Sequence, residues 1–230
     1  MDPEIVQAIV GVLEAKDFST AAHTWRVVLY TRALAEAAGL DDALIHRLTY
    51  AAALHDVGKI DVPDEILQKP GPHTPAEFEV MQTHTIRGHE RLLAMGEDDP
   101  LLLTLVRHHH ERWDGTGYPD RLTGDNIPIG PRFFSVIDSF DALTSVRPYR
   151  AEIGPDAAER AIDELATLSG TKYCAEAVAL FTNLYRRGGL GWILEHFNDT
   201  CPVPEYTRLG SLHSVRDIPQ ASKTMHTPKL

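Results

Sequence analysis

Cysteine is scarce in this chain: Cys174 and Cys201 are the only two in 230 residues. Two thiols with no spacing motif between them exclude a disulfide framework and a cysteine-built structural zinc site. Positive charge is also short, with 22 Lys and Arg against 33 Asp and Glu and a formal net charge of −11. A general nucleic-acid surface needs a basic stripe, so the charge balance argues against DNA or RNA as a partner. A small phosphate ligand stays possible, because bound metals and a few local cations reverse the potential inside one pocket. No apolar run is long enough to span a bilayer, and the acidic N-terminus does not look like a signal peptide. The expected location is therefore the cytoplasm, away from the membrane. Alternating strand patterns, internal repeats and low-complexity segments are missing too.

What remains is helix and histidine. Apolar residues recur at three- and four-residue steps almost throughout, which predicts an all-α fold. At 230 residues the chain can bury the core of one domain. The expected division is an N-terminal helix in 1–14, one helical bundle over 15–197, and a polar, Pro-containing tail over 198–230. A helix from Thr20 to Ala38 carries Val27, Tyr30 and Leu34 on one stripe, and His23 shares it, as either a core residue or a ligand. Asp41 or Asp42 caps the next helix, where Leu44, Leu48 and Ala51 lead to His55. Thr74-Pro75-Ala76-Glu77 is a capping box that opens a helix bearing Phe78, Met81, His84 and Ile86. Asp99-Pro100 starts another, which ends in His108-His109-His110-Glu111. Residues 112–130 form a loop rich in glycine and proline. Arg132–Val146 is a helix with Phe133, Phe134, Ile137 and Phe140 as core and Asp138 and Asp141 on one face. Helices over 155–169 and 175–187 are scaffold.

The stretch Leu54-His-Asp-Val-Gly-Lys-Ile60 organises the rest. His55 and Asp56 are adjacent, so their side chains project about 100° apart on a helix and flank one point. An imidazole and a carboxylate suit divalent Fe, Mn or Zn, and the two oxygens of Asp56 allow it to hold two ions at once. Gly58 is expected to break the helix, and Lys59 to place a point charge beside the metals. Alone the pair reads as an ordinary helix end. Together with His23, His84, His109, His110 and Asp138 it amounts to about what two octahedral ions need. His46, His73, His89, His108, His196, His213 and His226 have no such partners.

The order of these motifs carries a resemblance. His23, His55-Asp56 and Asp138 match the H…HD…D pattern of the HD-superfamily phosphohydrolases. The run HDVGK, His84, HHERWDGTGYP at 109–119 and DSFDALTSVRPYR at 138–150 resemble the HD-GYP subfamily over roughly residues 15–185. The resemblance implies a metal-dependent phosphodiesterase acting on a cyclic dinucleotide, with cyclic di-GMP the leading candidate and linear pGpG or GMP as product. It implies His23, His55, Asp56, His84, His109, His110 and Asp138 as ligands of two divalent ions, with Fe or Mn favoured. Some relatives carry a third ion through a Glu four residues before the first His; here Ser19 stands there, which argues for two. Two metals roughly 3.5–4 Å apart would acidify a bridging water, whose hydroxide attacks phosphorus in line. Lys59 and Asp56 are then the catalytic pair. Lys59, Tyr118, Asp141, Arg147 and Arg150 would face the substrate, the two arginines toward the second phosphate. Asp141 either accepts from guanine or orients Arg147 or Lys59. Glu111 and Trp113 are expected to support or pack. The GYP loop is also associated with contacts to GGDEF-type cyclases. Two other readings compete: a silent cyclic-dinucleotide sensor or cyclase-docking module, and a di-iron oxygenase on the same scaffold.

Overall fold

The computed structural model describes residues 2–16, 20–145 and 156–196. Among them the chain is helical, with no strand beyond one isolated bridge between Ser169 and Tyr173. Helices α1 (Pro3–Lys16), α2 (Thr20–Ala37) and α3 (Asp42–Leu54) come first. A 3-10 turn at Val57–Asp61 and the short α4 (Asp64–Leu67) lead into α5 (Pro75–Ala94) and α6 (Pro100–His108). After a long loop follow α7 (Ile129–Thr144), α8 (Ala157–Thr167), α9 (Ala175–Arg186) and α10 (Gly191–His196).

Helix α2 is the axis of the bundle. Its residues 23–35 are buried on every face, and α1, α3, α7, α9 and α10 pack around it. Val27, Tyr30 and Leu34 sit in one apolar core with Leu54, Phe134, Ile137, Phe140 and Phe181, as the stripe on α2 predicts. The expected helix starts also hold. Asp41 accepts from the Leu44 amide, Asp99 accepts from Leu101, and Thr74 with Glu77 closes a reciprocal capping box.

The first helix runs from Pro3 to Lys16, and its Val6, Val10 and Leu13 lie in the same core as α2. Two expectations change. On α3 Ala51 is buried as expected, but Leu44 and Leu48 are only half-buried, and Ile45 and Thr49 take the buried positions. Nor does Gly58 stop a helix. α3 ends at Leu54, and Gly58 lies inside the following 3-10 turn, where a Cβ would collide with the His84 carbonyl of α5. Gly88 faces it from α5, with its Cβ position 3.0 Å from the Gly58 nitrogen. Two glycines thus allow the turn and α5 to touch, and that contact brings His84 to Asp56.

Candidate metal centre

Helix ends and turns deliver the site. His23 comes from the first turns of α2, and His55-Asp56 from the join between α3 and the 3-10 turn. His84 comes from mid-α5, His109-His110 from the end of α6, and Asp138 from α7. Two donor clusters result, His23–His55–Asp56 and Asp56–His84–His109–His110, and Asp56 belongs to both. Asp138 joins the first, its carboxylate 3.5 Å from His23 Nε2.

The side chains are already aimed inward. His55 Nδ1 donates to the Ala52 carbonyl at 2.7 Å, His84 Nδ1 to Met81 at 2.7 Å, and His109 Nδ1 to Val106 at 2.9 Å. His23 Nδ1 bonds Asp141 Oδ2 at 2.7 Å. With each Nδ1 occupied, each Nε2 keeps its lone pair for a metal, the orientation that outer-shell partners impose in metalloproteins. The inward nitrogens nearly touch: His23 and His55 at 3.4 Å, His84 and His109 at 3.3 Å. Two nitrogens about 2.1 Å from a common ion at octahedral or tetrahedral angles lie about 3.0–3.4 Å apart, so the spacing fits metal ligation. Asp56 completes each pair with a different oxygen, Oδ2 at 3.1 Å from His55 and Oδ1 at 3.4 Å from His84.

The electrostatics agree with this reading. Burial pushes His84 and His109 below the usual imidazole value and takes His110 down to about 3, which keeps all three neutral as ligands must be. Burial pulls His55 the same way, but Asp56 overrides it and its net shift is upward. Burial alone would raise Asp56; His55 and Lys59 outweigh it and hold the carboxylate ionised. Lys59 Nζ reaches Asp56 Oδ2 at 2.6 Å, beside the cluster as expected.

The GYP loop is built onto the same centre. Gly117 passes so close to His110 and Glu111 that a Cβ would strike their backbone. This seats the Tyr118 ring 4.8 Å from that of His110 and 6.4 Å from that of His84. The Tyr118–Pro119 peptide is cis. Buried Glu111 accepts from the Asp120 and Leu122 amides at 2.7 and 3.0 Å, so it anchors the loop and does not ligate. Trp113 packs on the core under Arg132. His108 binds Asp120 at the rim, 2.8 Å away.

The expectation that Asp141 faces substrate is corrected. Its side chain is fully buried, and its oxygens are taken by His23 and by Arg26 Nε at 2.5 Å. Burial would raise its pKa, but His23 and Arg26 hold it well below the usual carboxylate range. Asp141 therefore orients His23, and Arg26 is the cation it meets among the described residues. Arg26 was not singled out in the sequence. Its signal is an arginine three residues after His23 on an otherwise apolar stripe; Arg26 Nη2 also bonds Ser145 at 2.7 Å. Arg147, Arg150 and Ser19 lie outside the described residues.

Comparison with known proteins adds the following. Residues 9–176 match the family model for the HD domain. A "Cyclic di-GMP phosphodiesterase" of Thermotoga maritima is 40% identical over 193 residues, covering 80% of this chain and 51% of that protein. A "3'3'-cGAMP-specific phosphodiesterase 2" of Vibrio cholerae is 37% identical over 184 residues, covering 77% of this chain and 34% of that one. The chain thus spans about half of the length of the first of these relatives and a third of the second. Among solved structures, Bd1817, an HDG"Y"P protein from Bdellovibrio bacteriovorus, superposes with a TM-score of 0.58 at 22% identity, over 74% of this chain and 53% of that chain. The HD domain of the L. monocytogenes phosphodiesterase PgpH, in complex with cyclic-di-AMP, gives 0.56 at 15% identity, over 80% and 97%. At those identities the likeness is one of fold.

Proposed function

The chain belongs to the HD domain family, and from that premise we propose that it is a metal-dependent phosphodiesterase of cyclic dinucleotides, cyclic di-GMP first among them. The observation that carries this reading is Asp56 shared between two imidazole clusters, each with its ring nitrogens turned inward. His23, His55, Asp56 and Asp138 would hold one ion, and Asp56, His84, His109 and His110 the other. Iron or manganese suits this mix of imidazole and carboxylate. Bound divalent ions supply an acidified water and draw charge from phosphoryl oxygens.

The protein's own groups do the rest. The carbonyl and carboxylate bonds to Nδ1 of His23, His55, His84 and His109 fix those four rings before any substrate arrives. Phe134, 4.9 Å from the His55 ring, closes the apolar side of the centre to water. Lys59 holds a positive charge where a phosphate's negative charge would develop. Tyr118 covers the His84–His110 side, where its hydroxyl can donate to the substrate; burial raises its pKa, so it stays protonated. The product is linear pGpG or GMP, and the reading places the protein in the cytoplasm with the GYP loop free to meet a GGDEF-type cyclase.

The test is chromatography of cyclic di-GMP, 3'3'-cGAMP and cyclic di-AMP incubated with protein purified without oxygen and without a metal-affinity tag. Linear product or mononucleotide from at least one of them is expected. Tight binding with no product would instead make this a sensor or docking module.

A further inference from the structure

Beside the imidazole cluster lies a cleft of about 340 Å³. Asp138 and His110 border it on the metal side, and its wall also carries two cations, Arg112 and Lys172. Among the described residues neither closes an ion pair, whereas Arg47, Arg91 and Arg107 are each met by an aspartate. Arg112 has a 3.4 Å contact to Thr116 Oγ1 and acts through space on the nearby Asp114 carboxylate. In a chain of net charge −11, two cations on one concave wall, neither in an ion pair among the described residues, mark a place for an anion.

The wall is fixed in place by its backbone. The Trp113 amide donates to the Lys172 carbonyl at 3.1 Å and the Asp114 amide to Thr171 at 2.9 Å, which joins the segments that bear the two cations. Lys172 Nζ stands 4.8 Å from the centroid of the Tyr173 ring, whose face attracts cations, and Tyr173 is only 1% exposed. From α7, Ser135, Ser139 and Ala142 line the same cleft as Asp138; they are small and leave its floor clear.

A cyclic dinucleotide carries two phosphodiesters, and only one can lie at the metal centre. We infer that Arg112 and Lys172 hold the second, uncleaved phosphate, the role the resemblance gives to Arg147 and Arg150, and so position the first for cleavage. This inference rests on the proposed function. It assigns Lys172 and Arg112 to substrate binding at a distance from the reacting atoms; Arg112 falls within the run at 109–119, and Lys172 within no motif named above. Their energy appears in affinity more than in turnover.

The experiment uses the full chain in two forms. Equilibrium binding of cyclic di-GMP, 3'3'-cGAMP and cyclic di-AMP is measured by calorimetry on EDTA-treated protein. KM and kcat are measured on metal-loaded protein for cyclic di-GMP and for bis(p-nitrophenyl) phosphate, which has a single phosphate. Lys172→Ala and Arg112→Ala should each weaken binding of all three cyclic dinucleotides about tenfold, a size ordinary for one charged hydrogen bond. KM for cyclic di-GMP should rise by a similar factor, with a much smaller change for bis(p-nitrophenyl) phosphate, and Lys172→Arg should restore most of the loss. Unchanged binding, an equal loss for the single-phosphate substrate, or a loss confined to one dinucleotide would each overturn the phosphate assignment. Binding that depends on Lys172 without hydrolysis by the unsubstituted chain would leave the subsite standing and remove the proposed activity. No binding of any of the three by the EDTA-treated unsubstituted chain, together with no hydrolysis by the metal-loaded one, would overturn both.

Discussion

At the scale of single residues, the site separates into side chains that could hold a metal and side chains that aim them. Asp141 belongs to the second kind. Asp141→Asn should lower metal affinity or activity about 10- to 100-fold through a misoriented His23. It also leaves Arg26 buried without its counter-charge, at a cost of about 3–5 kcal/mol. Metal analysis on the folded fraction checks the first effect and denaturant unfolding the second; full metal occupancy would show that His23 needs no such support. Tyr118→Ala should keep both metals and still reduce kcat, and an unchanged rate would reduce the ring to packing. The two donor clusters were legible because His and Asp at these spacings have few other uses together. Arg26 and Asp141 were harder, because their partnership spans 115 residues of sequence and appears only when α2 meets α7.

Helices and turns tell a similar story one level up. The caps at Asp41, Thr74 and Asp99 were readable because each is closed by an amide two or three residues away. Gly58 was misread because what it answers to is non-local: the carbonyl of His84 on another helix. Helix-breaking and close approach both call for glycine, and sequence alone does not tell them apart. Gly58→Ala should therefore act as overpacking, destabilising by about 1–3 kcal/mol and shifting Tm down by several degrees. It should also cost metal, because the collision lies on the backbone of a ligand. A variant with normal Tm and normal metal content would mean that the turn and α5 can separate freely.

For the molecule as a whole, the all-helical fold followed from periodicity, while the place of α1 did not. An amphipathic helix at the start of a chain looks the same whether it docks on the core or stands apart. Here Leu13 is 2% exposed within the main core, so the first helix is part of the domain. Leu13→Ala should cost about 2–5 kcal/mol, measurable as a lower midpoint in a denaturant titration; a loss under about 0.5 kcal/mol would return α1 to the status of an appendage. Among the described residues no helix is long and apolar enough to cross a membrane.

All three scales converge on Asp56, where the α3–turn junction, the glycine contact and both imidazole clusters meet. The most direct test counts metals per chain in unsubstituted protein and in Asp56→Ala, both purified without oxygen, and follows cyclic di-GMP hydrolysis on the same samples. Two ions per chain are expected before substitution and close to none after it, with activity falling about 10³-fold or more. An Asp56→Ala protein that kept two metals would contradict the shared carboxylate on which this account depends.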